Sequence, residues 1–431
     1  MLGALKIKKN AILERNRGLL TPKAIQNSAL QQSRYLRCNP EESALAVSYD
    51  EQVTVGKKVL LLAIPFSVVG GAERLLSGLC RYLASNDWRI VVVTTLEQNT
   101  SFGSTIEWFK EITPEVYELT KFLEQKERED FIKYLIKSRK PDCLVNAGSR
   151  LVYEMLPEIE LANESLCVVD LLFNTEGHVK SHIEYKRFIS FAFAESQEVF
   201  VWLLDVAGWP ADKINRLSSG IDLLHFQPTP RPQFLIDKLD IVERDLVVGF
   251  SGRLSREKGP DVFLEVARLC DGIPNIRFVM TGAGPMSDEL IEQIELLRSS
   301  VKFDYMGLVD DVEAYLALYD VLILPSRFDG RPFVVMEALA CGVPVIASNV
   351  GALSELIEDG RNGYLVPAGN AKIFAEKVRG LAQDRSLLGK LKIAARSTSE
   401  SKFDAVQAYR EYEAALRDVI QLNRSANVHG V

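Results

Sequence analysis

The sequence predicts an α/β protein built from two parallel-sheet units, and three observations carry that expectation. Short, almost wholly apolar runs of strand length alternate with helical patterns, which is how strands buried on both faces of a parallel sheet read. The alternation breaks at Leu223–Pro232, where three prolines fall within ten residues, and then starts again. The chain, at 431 residues, is also longer than one ordinary core supports.

The first unit opens with the run Lys58–Ile64 (KVLLLAI). Gly70 and Gly71 follow, and the periodicity turns helical through SVVGGAERLLSGLCRYLA. Further strands are expected at Arg89–Thr94, Asp142–Ala147 and Ser165–Val169, the last leading directly into Asp170. Helix is expected within the connection from Phe102 to Pro141, and as one longer stretch from Ser181 to Asp205. In the second unit the strands are Leu246–Phe250, Ile276–Thr281, Asp320–Leu324 and Pro344–Ala347, with helices at Gly259–Leu269 and Phe333–Ala340. From Asn370 to Ile420 the chain reads as polar and helical, and beyond Gln421 as frayed. The expected division is a basic N-terminal extension at 1–50, an N-terminal unit at 51–225, a C-terminal unit at 226–400, and a helical segment at 401–431 packing back on the first. Two such units imply a cleft, and open sheets of this kind bind ligands beyond the carboxyl ends of their strands.

Apolar residues make up 47% and charged residues 25%, an ordinary globular composition. The net charge of −7 gives no overall basic field, so no nucleic-acid partner is expected. Residues 1–40 hold eight Lys or Arg against the single acid Glu14. That segment reads either as a solvated arm on the body or as a patch in peripheral contact with an anionic membrane surface or a charged acceptor. The six cysteines include no C-x-x-C pair, which fits a reducing compartment and argues against a disulfide scaffold or structural zinc. His178 and His182 stand four apart without the intervening glutamate of a zinc protease, and no metal is expected. The absence of an 18-residue apolar run or a signal-peptide pattern makes a cytoplasmic location the expectation, with the inner membrane face as the peripheral alternative.

Several residues could carry chemistry. Gly70-Gly71, between a strand and a helix, is either an anion-binding turn that uses positive φ or a tight turn without a ligand. It has neither the dinucleotide-binding glycine pattern nor the form of an ATPase phosphate loop. Arg253 and Lys258, in the loop SGRLSREKG straight after a strand, either clamp a diphosphate or belong to a solvated loop. Asp329 lies in a Gly/Pro-containing loop past a strand, with Glu337 eight residues on in the next helix. The two acids either bind sugar and ribose hydroxyls, or cap a helix and face solvent.

The blocks GRLSREKG, FVMTGAGP and MGLVDDVEAYLALYDVLILPSRFDGRPFVVMEALACGVPVIASNVGALSELIEDGRNGYLV resemble the retaining glycosyltransferase family that includes sucrose synthases and bacterial mannosyltransferases, of GT-B fold and family 4 type. The resemblance is strong over 246–367 and weaker over 58–95 and 210–226. It implies two Rossmann-like domains facing a donor cleft. By position it implies that Arg253 and Lys258 bind the donor diphosphate and that Asp329, where glutamate is usual, lies near the donor sugar. Glu337 would contact the ribose, and the backbone of Gly351, Ala352 and Leu353 would cradle the phosphate. Gly282, Leu308 and Val309 would line the base and ribose, and Gly70-Gly71 would lie near donor phosphate and acceptor. The family's His-Asp pair is broken here: Val169 replaces the histidine, Asp170 is kept, and His178 is either a substitute reaching the sugar or a helix-start histidine. In the family's N-G-[IV]-D element, Ser219 stands for the asparagine ahead of Gly220–Asp222.

The resemblance further implies transfer with retention by front-face attack, the departing diphosphate accepting the acceptor's proton. The co-substrate would be a nucleotide sugar, with UDP- or GDP-sugars the expected donors and no separate cofactor. The acceptor would be a glycan, a lipid-linked or a small molecule, in the building of a polysaccharide or glycolipid. A nucleotide-sugar epimerase, a phosphorylase carrying lysine-bound pyridoxal, and a non-catalytic nucleotide-binding scaffold remain as alternatives.

Overall fold

The computed structural model describes residues 56–68, 70–97, 103–163 and 165–429, with side chains through Ala426. The basic segment at 1–50, Cys38 and the His429 side chain lie outside the described residues. The chain divides into two compact units. The first holds the described residues up to Glu195, then Val199–Leu217 and the chain from Tyr409 on; the second holds Ser196–Glu198 and Ser218–Ala408.

The first unit is a seven-stranded sheet of β1 (Lys58–Ile64), β2 (Trp88–Thr94), β3 (Val116–Glu118), β4 (Cys143–Asn146), β5 (Cys167–Leu172), β6 (Phe191–Ala194) and β7 (Ile214–Arg216). The spatial order is β3-β2-β1-β4-β5-β6-β7 and all pairs are parallel. This is the doubly wound order in which the chain reverses direction across the sheet between β1 and β4. Every residue of β2, and all of β1 after Lys58, is buried, which is why these strands read as continuous apolar runs. The helix Gly71–Ala84 turns Leu75, Leu76, Leu79 and Leu83 inward at helical spacing.

Three expectations change here. The stretch from Ser181 to Asp205 is not one helix: a helix at Val179–Tyr185 is followed by β6 and then by a helix at Gln197–Asp205. Phe191-Ala192-Phe193-Ala194 pairs with β5 on one side and β7 on the other and is buried throughout. A strand that short leaves no period of its own for a sequence to show. β5 begins at Cys167 and runs to Leu172, so Asp170 lies inside it and not at its end. The last helix, Ala405–His429, continues past Gln421 instead of fraying. Tyr412, Leu416, Val419 and Ile420 bury its inner face, Asn423 Nδ2 donates to the Ser165 carbonyl at 3.1 Å, and Arg424 pairs with Asp142.

The second unit is a six-stranded parallel sheet of β8 (Leu246–Ser251), β9 (Ile276–Thr281), β10 (Lys302–Tyr305), β11 (Val321–Leu324), β12 (Val345–Ser348) and β13 (Gly363–Val366), in the order β10-β9-β8-β11-β12-β13. The same reversal falls between β8 and β11. Phe250, Phe263, Phe278 and Phe303 fill its core, with ring centroids 5.5 to 6.3 Å apart. At the opposite end of β11, buried Asp320 accepts from the Val247 N–H at 3.0 Å, from Lys392 at 2.7 Å and from Arg231, tying strand, linker and a late helix together. The five described cysteines are free and buried. Among the described residues, no helix is long and apolar enough to cross a membrane.

Candidate active site

In the second unit, three loops meet at the carboxyl ends of β8, β11 and β12. The loop after β8 carries Arg253 and Lys258, and the loop after β11 carries Asp329. Lys258 Nζ donates to both carboxylate oxygens of Asp329 at 2.8 Å, and Ser326 Oγ donates to Oδ2 at 2.9 Å. The Lys258 side chain keeps 24% of its exposure against 5% for Asp329. The carboxylate is therefore sealed, while the ammonium keeps a face toward solvent where an anion can reach it. Arg253 is exposed in the same loop.

The third loop is locked onto the second. Gly351 has φ +53°, and a Cβ there would fall 1.7 Å from the Asp329 carbonyl oxygen, so only glycine fits. Ala352 N–H donates to the Gly330 carbonyl at 3.1 Å and Leu353 N–H to Val350 at 3.2 Å. Those two amides of the expected phosphate cradle are thus already engaged. Buried Arg331 lies 3.5 Å from a Glu355 oxygen, with its guanidinium 5.7 Å from the Phe403 ring centroid. Glu337 is buried in the helix Phe333–Ala340. Gly282 follows β9 with its N–H donated to the Gly307 carbonyl at 2.7 Å, and exposed Leu308 and half-buried Val309 follow β10.

Asp329 thus touches both Lys258 and Gly351, while Arg253 is bonded to none of them among the described residues. Ser326 and Arg331 were not singled out from the sequence. Ser326 carries a usable signal, a hydroxyl three residues ahead of an acid in a tight Pro/Gly loop; Arg331 carries none.

The first unit places its candidates differently. Gly70 precedes the helix Gly71–Ala84 with φ −164°, and neither glycine of the pair has positive φ. The positive φ that paired glycines allow is not used here: an extended residue starts the helix directly. A Cβ at Gly70 would instead come 2.7 Å from Glu73 Oε2. Asp170 is fully buried. Its Oδ2 accepts from Tyr153 Oη at 2.6 Å and from His182 Nδ1 at 2.5 Å, while Trp209 Nε1 donates to His182 Nε2 at 2.8 Å. An indole can only donate, so His182 Nε2 accepts and Nδ1 carries the hydrogen given to Asp170. Both His182 nitrogens are engaged, and Asp170 anchors a sealed network behind the strand end.

His178 opens the helix Val179–Tyr185, with its ring 5.8 Å from that of Tyr153. Burial pulls it below the usual histidine value, and Asp170 opposes that shift. His178 Nε2, Asp170 Oδ1 and Asn146 Nδ2 are closed off without a protein partner. Asn146 is the register partner of Asp170 on β4.

Compared by fold, the chain is similar to Alr3699/HepE of Anabaena in complex with UDP, with a TM-score of 0.68 at 21% identity over 84% of this chain and 100% of that one. A glycosyltransferase from Rickettsia africae gives 0.70 at 19% identity, over 85% of this chain and 99% of that one. Sucrose-phosphate synthase from Thermosynechococcus elongatus gives 0.66 at 17%, over 85% and 100%. The fold is GT-B.

Within that GT-B chain, residues 233–398 match the family model for glycosyl transferases group 1. The match falls wholly in the second unit and covers the three loops just described. Among curated relatives, D-inositol 3-phosphate glycosyltransferase of Streptomyces bingchenggensis (strain BCW-1) is 30% identical over 184 residues, 40% of either chain. Amylovoran biosynthesis glycosyltransferase AmsK of Erwinia amylovora is 29% identical over 213 residues, 47% of this chain and 50% of that one. The chain spans about half the length, or less, of the curated relatives it matches.

Proposed function

We propose that the protein is a glycosyltransferase that moves a sugar from a nucleoside-diphosphate donor to an acceptor hydroxyl with retention, as a family-4-type enzyme. The observation that carries this reading is the Lys258–Asp329 pair at the strand-order reversal of the second unit, inside the segment that matches the glycosyl transferases group 1 model. A partly solvent-facing ammonium held at a strand end is suited to a phosphate oxygen. Exposed Arg253 in the same loop supplies a second cation.

In this reading the sugar C1–O bond to the diphosphate breaks as the acceptor oxygen bonds to C1 on the same face. The acceptor's proton passes to the departing diphosphate, and Lys258 and Arg253 stabilise the charge that develops there. Gly351 lets the third loop close onto the Asp329 backbone, which fixes Asp329 beside the donor sugar. Glu337 takes the ribose hydroxyls, and Gly282, Leu308 and Val309 line the base. The backbone of Gly351–Leu353 reaches the phosphate once the bonds of Ala352 and Leu353 rearrange. Gly70-Gly71 and His178 serve the acceptor side. UDP-sugars are the first donors to test, since Anabaena HepE is described with UDP and with UDP-glucose; GDP-sugars follow.

The test is a donor panel of UDP-, GDP-, ADP- and dTDP-sugars with released nucleoside diphosphate as the readout, and NMR of the product anomer for retention. Release from one donor in the presence of an acceptor is expected. Tight nucleotide binding without turnover of any donor would return the scaffold alternative, and an inverted product would end the retaining mechanism.

A further inference from the structure

We infer that Arg327 is the positioning residue for Lys258, acting by pinning the turn that carries it. The catalytic consequence rests on the glycosyltransferase reading; the geometry does not.

Lys258 sits on a turn in which its own N–H and that of Gly259 both donate to the Ser255 carbonyl, at 3.0 and 3.3 Å. Such a turn alone fixes little of a long, flexible side chain. Arg327 grips it from both flanks. Its backbone N–H donates to the Glu257 carbonyl at 2.7 Å, and Nη1 donates to the Arg256 carbonyl at 2.9 Å. Nη1 and Nη2 then fork onto Asp261, at 2.8 Å to Oδ1 and 2.6 Å to Oδ2. Asp261 lies in the first turn of the helix Pro260–Leu269. Its carboxyl is held below the usual carboxylate range, first by the Arg327 hydrogen bonds. Four bonds from one residue therefore bracket Lys258 at positions 256, 257 and 261. The Gly259 backbone also packs so closely that a Cβ there would lie 2.3 Å from the Pro325 carbonyl oxygen.

Two residues beyond Arg327, Asp329 takes the Lys258 ammonium at 2.8 Å. The turn before Lys258, the helix start after it and the ammonium itself are all tied to the single stretch Pro325–Asp329. A role in general stability explains this poorly. The Arg327 and Asp261 side chains are each 36% exposed, and ion pairs that open to solvent contribute little to folding. A planar fork on a carboxylate and a carbonyl contributes orientation, which lysine at position 327 could not reproduce.

The experiment uses the full chain with Arg327→Met, Arg327→Lys, Lys258→Ala and the double variant Arg327→Met/Lys258→Ala. Without any ligand, acetic anhydride labelling of Lys258, read by peptide mass spectrometry, is expected to be several times faster in Arg327→Met than in the wild type. Arg327→Lys should fall between, and other lysines should label as before. With a turned-over donor, Arg327→Met should lower kcat about tenfold, as a small misplacement of a catalytic cation does. On the Lys258→Ala background the same change should cost less than about twofold, since residues acting through one another are not additive. Unchanged Lys258 labelling in Arg327→Met overturns the inference whatever the turnover data say, and so does an equal rate loss on both backgrounds. A broad rise in labelling of all lysines with a much lower melting midpoint assigns Arg327 to the fold and overturns it too. A wild-type chain inert toward every donor would sink the glycosyltransferase reading alone, because the labelling still decides what Arg327 does.

Discussion

Gly351→Ala separates geometry from backbone torsion in a single comparison. Two costs are expected. The first is conformational: Gly351 has φ +53°, and placing an alanine in the left-handed region costs about 1 kcal/mol. The second is steric. The new Cβ would lie 1.7 Å from the Asp329 carbonyl oxygen, whereas carbon–oxygen contacts ordinarily stay near ~3.3 Å. The two loops must therefore part by roughly 1.6 Å, and overpacking of that kind costs about 1–3 kcal/mol more. Moving the Asp329 backbone that far also takes its carboxylate out of the 2.8 Å contact with Lys258. A misplacement of about 1 Å at reacting groups costs roughly 10²-fold in rate. Gly360→Ala is the control: Gly360 has φ +75° with nothing within 4 Å of an added Cβ, so it carries the torsional cost without the clash. Chemical denaturation should show a loss of about 1 kcal/mol for Gly360→Ala and two to four times that for Gly351→Ala. Nucleoside diphosphate release should fall about 10²-fold in Gly351→Ala only. If the two variants match in stability and turnover, the contact between the loops after β11 and β12 does not hold the site in shape.

Lys258→Ala should slow donor cleavage by about 10²-fold or more through loss of a charge partner for the leaving group; wild-type turnover would remove Lys258 from the reaction. Asp320→Asn should destabilise the second unit by about 3 kcal/mol, because it leaves Lys392 and Arg231 without their shared partner. Burial alone would push the Asp320 carboxyl up, but Lys392 and Arg231 outweigh it and hold it below its ordinary 3.8. Its stabilisation is thus complete above that ordinary value and is lost as pH falls through the depressed one. Denaturation midpoints measured from neutral pH down to pH 3 should drop less steeply in Asp320→Asn, and an identical acid limb would refute the assignment. His178 should titrate below its ordinary 6.5 in a histidine NMR experiment. Its share of stability is then present above that value and declines as pH falls toward the folded one; a titration at or above 6.5 would contradict the sealed ring.

The long strands were legible because burial on both faces leaves no polar residue to break the run, as in KVLLLAI and WRIVVVT. β3 and β7 span only three residues each, too few for any period to appear, and β6 was hidden by helical patterns on either side. Residue types at strand ends were also legible: the cations after β8, the acid after β11 and the glycine after β12 all stand where the sequence put them. Their pairing was not. Lys258 and Asp329 are 71 residues apart, and only the sheet order, which inserts β11 beside β8, brings them together. Asp170 came from resemblance alone, as the kept half of a His-Asp pair, and the sequence did not show that Leu171 and Leu172 continue the strand. Tyr153 and His182, 17 residues before it and 12 after it, close over its carboxylate.

The two units repeat one strand order, yet the residues at the reversal give each a different chemistry. In the second unit the loops present a solvent-facing ammonium and an exposed guanidinium, both suited to a polyanion. In the first, the groups left unpaired around β4 and β5 are an amide nitrogen, a carboxylate oxygen and a ring nitrogen, on Asn146, Asp170 and His178. Register pairs Asn146 with Asp170, and Tyr153 contacts both Asp170 and His178. All three atoms are closed off from solvent, and the Asp170 carboxylate already accepts from Tyr153 and His182, so these groups belong to a sealed polar network. Shared topology therefore does not fix the chemistry at a strand-order reversal; the side chains that stand there do.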